Sequence, residues 1–197
     1  MKIGDKMPSF QVQDQKGAIV KTEDLLGKGH KIVLYTYPKD NTLGCTAEAC
    51  SFRDAYDDLR EAGYTVIGVS KDSAKSHAGF REKHSLPFTL LADTEASLLK
   101  DLGAWGEKKF CGKACAGTLR KTFVFSEDGI LERIIDKVDT KKAAEQILEG
   151  GREQKQEKTW ICSVCGYEHV GTEPPKKCPV CKADAVYFDA VEDQPQA

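Results

Sequence analysis

The sequence predicts a layered α/β domain followed by a small module assembled around a metal, and three observations carry that expectation. Up to about Gly151, β-branched and aromatic runs such as residues 32–37 (IVLYTY) alternate with segments of helical periodicity. Residues 152–158 (REQKQEK) then carry no apolar side chain. Beyond them, two C-x-x-C pairs sit in a stretch too short for a core of its own, and below ~40 residues folding usually needs a metal or crosslinks.

Taken in order, residues 32–37, bounded by Pro38, read as a buried central strand. Residues 64–70 give a second, 88–91 a shorter one and 122–125 a clearer one. Between the first two, Cys45, Ala49, Phe52, Tyr56 and Leu59 recur at helical spacing, which predicts one amphipathic helix over 45–62, ended by Gly63. Residues 73–84 read as another helix. Glu127-Asp128-Gly129 turns the chain into a partner strand over 130–135, forming a hairpin. Thr140 can cap a last helix that runs to Leu148 and stops at Gly150-Gly151. The expected organisation is a first domain over 1–151, a linker over 152–158, a metal module over 159–193 and a tail over 194–197. Seven linker residues reach at most ~25 Å when extended.

Composition excludes several classes of function. The 197 residues hold 29 Lys+Arg against 31 Asp+Glu, a formal charge of −2, with no basic stripe to bind nucleic acid or an anionic membrane. No apolar run approaches the ~20 residues of a membrane span. Lys2, Asp5 and Lys6 stand where a signal peptide needs an apolar stretch, so a cytoplasmic location is expected. In a reducing compartment, eight cysteines point to metal binding or redox chemistry rather than structural disulfides.

Four of those cysteines form the strongest signal. Cys162-x-x-Cys165 and Cys178-x-x-Cys181 are two knuckles twelve residues apart, and each tight turn offers two sulfurs to one tetrahedral cage. Four thiolates suit zinc or iron, and spacing alone does not separate them. His169 stands nearby, but the four cysteines already fill the shell, so it is expected to face solvent. The string from Trp160 through Cys165-Gly166-Tyr167 and His169, then Gly171, Pro174-Pro175, Cys178-Pro179 and Phe188, closely resembles the rubredoxin-like domain of rubrerythrins. The resemblance implies one iron held by Cys162, Cys165, Cys178 and Cys181 and cycling between ferric and ferrous, with zinc as the alternative. It also implies that Trp160, Tyr167 and Phe188 pack around the site, and that Gly166 lets a backbone N–H approach a sulfur.

The second site lies between the first strand and its helix, in the segment Pro38-Lys-Asp-Asn-Thr42-Leu-Gly-Cys45-Thr-Ala-Glu48-Ala-Cys50. Ligands of α/β folds bind at the carboxyl ends of strands, and a cysteine in a helix's first turn sees the positive end of the dipole, which favours its thiolate. The pattern Pro-x-x-x-Thr-x-x-Cys resembles the active-site loop of peroxiredoxins, and the fuller string resembles their bacterioferritin comigratory protein, or Q, subfamily. The likeness continues through residues 67–70, 86–88 and 120–123. It implies a thioredoxin-like fold with Cys45 as the peroxidatic cysteine. Thr42 would hydrogen-bond the peroxide, Arg120 would stabilise the thiolate and developing oxyanion, and Pro38 would shield the pocket. Leu43 departs from the pattern, which usually has a second proline there.

Cys50 could resolve an oxidised Cys45, but five residues of intact helix separate the sulfurs by ~140° and ~7.5 Å, so the first turns would have to unwind. An inert surface thiol is the other reading. Cys111 and Cys115 could relay electrons or be incidental, and His30, His77 and His84 are expected to be solvated. The fold class is thus α/β, a thioredoxin-like peroxiredoxin domain followed by a rubredoxin-like metal ribbon. The function expected from the fusion is reduction of hydrogen peroxide and organic hydroperoxides, with electrons from a rubredoxin reductase or ferredoxin-type partner reaching the fused iron. A thioredoxin-dependent peroxidase with a zinc ribbon, or a peroxide sensor signalling through that ribbon, are the alternatives. A homodimer is compatible with the sequence.

Overall fold

A computed structural model describes residues 1–110, 113–153, 158–171 and 174–191, with backbone alone at 108–110, 113–115, 151–153, 158, 171 and 190–191. The chain divides into two compact units, Met1–Leu148 and Glu149–Ala197. No helix among the described residues is long and apolar enough to cross a membrane.

The first unit opens with a hairpin of β1 (Gln11–Asp14) and β2 (Ile19–Lys21). Its turn is set by Asp14, whose Oδ1 accepts from the amides of Lys16 and Ala18, and by Gly17 at φ 81°. The central strands β3 (Lys31–Thr36) and β4 (Tyr64–Ser70) follow, joined through helices α1 (Leu43–Asp54) and α2 (Tyr56–Glu61). Helix α3 (Ala74–His84), capped by the Ser73 hydroxyl, leads to β5 (Thr89–Ala92) and the short α4 (Ser97–Asp101). A separate antiparallel pair, β6 (Trp105–Phe110) and β7 (Lys113–Thr118), precedes β8 (Lys121–Phe125), β9 (Leu131–Ile135) and α5 (Ala143–Glu153). The main sheet has the order β2-β1-β5-β4-β3-β8-β9, with β3, β4 and β5 parallel and the outer pairs antiparallel.

Strand β3 and its extension show why the sheet needs cover on both faces. Val33, Tyr35 and Tyr37 join one apolar cluster with Cys45, Ala49, Phe52 and Ile147, while Ile32 and Leu34 join the opposite one with Ile67, Phe123 and Phe125. At the sheet's centre, a Cβ on Gly68 would stand 2.7 Å from Leu90 Cδ2 and 2.8 Å from the Tyr35 ring and hydroxyl. Gly68→Ala is therefore expected to destabilise by about 1–3 kcal/mol. A denaturant melt would show this as a lower midpoint at unchanged slope.

Two helical expectations need correction. The helix predicted over 45–62 breaks at Ala55, whose ψ of 21° leaves the helical basin. The apolar stripe itself persists, because Leu59 and Tyr56 still reach the cluster that holds Phe52. The last helix starts at Ala143 and continues through Gly150-Gly151 to Glu153. A glycine ends a helix by turning left-handed, and neither of these does. The lead-in turn belongs to Asp139, whose Oδ1 accepts from the Lys141 amide, rather than to Thr140. Residues 154–157 of the expected linker lie outside the described residues.

The second unit is a three-stranded antiparallel sheet of β10 (Lys158–Cys162), β11 (Glu168–Gly171) and β12 (Phe188–Val191), with β10 central. Its core is small: Cys162, Cys178 and Phe188 are buried, with Trp160, Tyr167, Cys181 and Ala183 packed against them.

Candidate active site and metal centre

The carboxyl end of β3 assembles the thiol site from two directions. The buried Thr36 hydroxyl donates to Leu119 O at 2.8 Å and accepts from the Lys121 amide at 3.2 Å, which fixes the segment carrying Arg120. On the other side the chain runs through a half-buried Pro38 to Thr42, the N-cap of α1, whose carbonyl accepts from the Thr46 amide at 2.8 Å. The Thr42 hydroxyl is exposed and donates to Lys39 O at 3.1 Å, so its lone pairs remain for an incoming donor.

Cys45 occupies the first turn of α1 and is only 1% exposed. Arg120 Nη2 donates to its sulfur at 3.2 Å. A Cβ on the preceding Gly44 would lie 3.4 Å from the same Nη2, so the helix start and the guanidinium are in direct contact there. The structure thus brings Cys45 and Arg120 together, with Thr42 at the N-terminus of the same helix. Cys50 is half-buried and lies further along α1, so both cysteines are free thiols of one intact helix.

One participant escaped the sequence reading. Glu48, one turn after Cys45, is wholly buried and forms an ion pair with Arg120 Nη1. Its second oxygen, Oε1, has no partner among the described residues. The i, i+3 spacing from Cys45 was the available signal, since it puts both side chains on one helix face. Burial lifts the Glu48 carboxyl from its ordinary 4.5 to about 7, against the pull of the guanidinium. Burial also opposes the charge of Arg120, but Glu48 and Cys45 together hold it above its usual range.

The sign of the Glu48 effect follows from proton linkage. Between pH about 4.5 and about 7 the native state binds more protons than the unfolded chain, so stability falls as pH rises across that window. The total is ~3 kcal/mol, fully present below the window and lost above it. Glu48→Gln is expected to flatten this segment of the stability curve, measured by denaturant unfolding at stepped pH.

The expectation that His77 is solvated is wrong. It is fully buried, with Nδ1 3.0 Å from an Asp40 oxygen, because it shares the inner face of α3 with Phe80. Polar sequence neighbours do not report which helix face a residue takes. His84 lies half-buried edge-on to Phe80, and burial lowers its proton affinity. His30 is exposed. Cys111 lies outside the described residues, and Cys115 is placed only as backbone of β7.

In the second unit the four predicted cysteine sulfurs lie within 4.8 Å of one another, with Cys162 to Cys181 at 3.7 Å and Cys165 to Cys178 at 3.6 Å. Sulfurs held 2.3 Å from a shared ion at tetrahedral corners are ~3.8 Å apart, so the residues fit a metal. Gly166 takes φ 72°, and the next amide, of Tyr167, bonds to Cys165, while those of Val180 and Cys181 bond to Cys178. Trp160, Tyr167 and Phe188 surround the cluster as expected. His169 stands outside it, half-buried on β11 opposite Trp160. So small a core would leave the module to depend on a bound ion, and structural metal binding supplies ~10–16 kcal/mol in comparable units. Cys178→Ser is expected to lose the metal and the module's Trp160 near-ultraviolet signature while the first unit still unfolds cooperatively.

The chain matches the AhpC/TSA family over residues 3–134 and the rubredoxin-like domain of rubrerythrin over residues 160–189. It is 42% identical over 149 residues to peroxiredoxin Bcp of Bacillus subtilis, covering 76% of this chain and 94% of that protein. Against peroxiredoxin Bcp of Escherichia coli the figures are 38% over 148 residues, 75% and 94%. Among solved structures, peroxiredoxin Q of Xanthomonas campestris superposes with a TM-score of 0.68 at 31% identity, covering 74% of this chain and 90% of that one. A cysteine-to-serine variant of Xylella fastidiosa PrxQ gives 0.72 at 28%, covering 79% and 98%. With a thioredoxin-like sheet, a buried thiol under an arginine and a four-cysteine cluster on one chain, the protein belongs to the AhpC/TSA family as a thiol peroxidase of its Bcp/Q branch, extended by a rubrerythrin-type rubredoxin-like domain.

Proposed function

We propose that the protein reduces hydrogen peroxide and organic hydroperoxides through Cys45, that Cys50 resolves the oxidised thiol, and that electrons enter through one iron held by Cys162, Cys165, Cys178 and Cys181. The observation that carries the thiol assignment is the 3.2 Å contact between the buried Cys45 sulfur and Arg120. A Xanthomonas campestris bacterioferritin comigratory protein of the same fold, 30% identical, is described for alkyl peroxide reduction, which supports organic substrates.

The chemistry follows from the residues. The Cys45 thiolate attacks the near peroxide oxygen, the O–O bond breaks, and the leaving alkoxide or hydroxide takes one proton. Arg120 faces the sulfur, where it offsets charge as the bond breaks, and Pro38 limits water. Thr42 orients the peroxide by accepting its proton in a hydrogen bond. The resulting sulfenic acid condenses with the Cys50 thiol, releasing water and leaving a disulfide, once the first turns of α1 unwind. Reopening it takes two electrons and two protons. An iron held by Cys162, Cys165, Cys178 and Cys181 would supply electrons one at a time, so each turnover would need two deliveries from a rubredoxin reductase or a ferredoxin-type donor.

This reading assigns residues 1–151 to the peroxidase, 152–158 to the tether and 159–193 to the electron-entry module, working in the cytoplasm and as a homodimer. It is tested on purified protein. One iron per chain, with a visible thiolate-to-iron band that is bleached by a reductant and restored by about half an equivalent of hydrogen peroxide per iron, is expected. A colourless zinc protein turning over with thioredoxin would overturn the built-in donor.

A further inference from the structure

The β3–α1 loop is anchored by a buried polar hub that the peroxidase chemistry leaves unused. Asp40 is 5% exposed and His77 not at all. The Asp40 carboxylate accepts from the Tyr37 hydroxyl at 2.8 Å and the Ser76 hydroxyl at 2.7 Å, and His77 Nδ1 lies 3.0 Å from Oδ2. The far side of the imidazole, Nε2, sits 3.2 Å from Leu91 O, so the ring lies between the Asp40 carboxylate and a backbone carbonyl. The Asp40 amide donates to Asp72 Oδ2 at 3.0 Å, and that oxygen also accepts from the Ser70 hydroxyl at 2.7 Å. Burial disfavours the Asp40 charge, yet the bonds from His77, Ser76 and Tyr37 hold its carboxyl below the usual carboxylate range.

The hub therefore ties one loop residue to the end of β3, to the end of β4 and to α3. Its position in the chain gives it a purpose. Asp40 is followed by Asn41 in the left-handed region at φ 59° and then by Thr42, which caps α1. The hydroxyl of Thr42 bonds to the carbonyl of Lys39, on the other side of Asp40. By contrast the helix start has little of its own to hold it: Thr42 makes no side-chain cap bond, and Leu43 is 94% exposed.

We propose that Asp40 and His77 are positioning residues of the peroxidase site, which pin the loop so that Thr42 and the Cys45 thiol are presented to peroxide in reactive register. This rests on Cys45 being the attacking thiol. A loosened loop would cost orientation without removing the sulfur, the regime in which a displacement of about 1 Å can cost about 100-fold in rate. Because Cys45 is buried, the same loosening would open it to a reagent that needs no Thr42.

The test follows two reagents at one sulfur in the full-length protein, by quenched-flow mass spectrometry of the Cys45 peptide. In Asp40→Asn the amide nitrogen places a donor where donors already converge. Oxidation of Cys45 by hydrogen peroxide is expected to slow about 20-fold or more, while alkylation by iodoacetamide accelerates about threefold. Ser76→Ala, which removes one hydroxyl from a half-buried position, should move both rates in the same directions by about three- to fivefold, and it decides the matter alone if Asp40→Asn does not fold. Rates that stay within about twofold of the parent, or that fall together for both reagents, overturn the proposal. A Cys45→Ser protein that still consumes peroxide at the parental rate would instead remove the assignment of Cys45, a separate outcome.

Discussion

Replacing Cys45 with serine is expected to abolish peroxide consumption, with residual turnover at least about 10⁴-fold below the parent. A serine hydroxyl has a far higher proton affinity than a thiol and attacks the O–O bond poorly. Among the cysteines whose side chains are described, none substitutes for it: Cys50 sits further along the same helix, half-buried, and the other four form the cluster of the second unit. The substitution is nearly isosteric in a site 1% exposed, so folding should survive. Anaerobic consumption of hydrogen peroxide, assayed with excess reductant, measures the loss. On the iron reading proposed above, the visible band should persist in this variant but no longer respond to peroxide, which separates the thiol's role from the metal's.

Arg120→Gln should be the next most damaging change, lowering kcat/KM for peroxide about 100- to 1,000-fold. The glutamine keeps some hydrogen-bonding capacity and removes the positive charge beside the sulfur. It also leaves the Glu48 carboxyl buried without the cation that lowers its proton affinity, so Glu48 should be more fully protonated at neutral pH than in the parent. The double variant Arg120→Gln, Glu48→Gln is therefore expected to recover stability relative to Arg120→Gln alone but not activity. Steady-state kinetics and denaturant unfolding on the same four proteins complete the cycle. If the double variant regained both, Arg120 would be acting through packing rather than through its charge.

The two sites differ in how they are written in the chain. The four-cysteine cluster is local in sequence and chemically specific, so its ligands were legible without any tertiary information, and the sulfurs converge as expected. Cys45 and Arg120 are far apart in sequence, and only the family likeness suggested that Arg120 would stand by the thiolate; the structure puts its Nη2 3.2 Å from the sulfur. Burial of polar groups was the hardest to read. Glu48 and His77 are ordinary surface residue types, and nothing in their neighbours' composition tells that each occupies the inward face of its helix. Central strands announced themselves through unbroken apolar runs, whereas β1 and β2, on the margin of the sheet, alternate weakly and passed unnoticed. Helix ends failed where backbone angle rather than composition decides, at Ala55 and at Gly150-Gly151.

The buried Glu48 carries one more implication. It lies between Cys45 and Cys50, so a disulfide joining those two encloses it in a ring of six residues that cannot remain a regular helix. Its carboxyl, held near 7 in the reduced enzyme, would then meet water and return toward its ordinary 4.5. Oxidation would therefore shed a fraction of a proton per site at neutral pH, in addition to those of the thiols. The midpoint potential of the Cys45–Cys50 couple would accordingly shift more steeply with pH, between about 4.5 and about 7, than the ~59 mV per unit of a two-electron, two-proton dithiol. Acidity of the surroundings would then bias how long the enzyme dwells in its oxidised form.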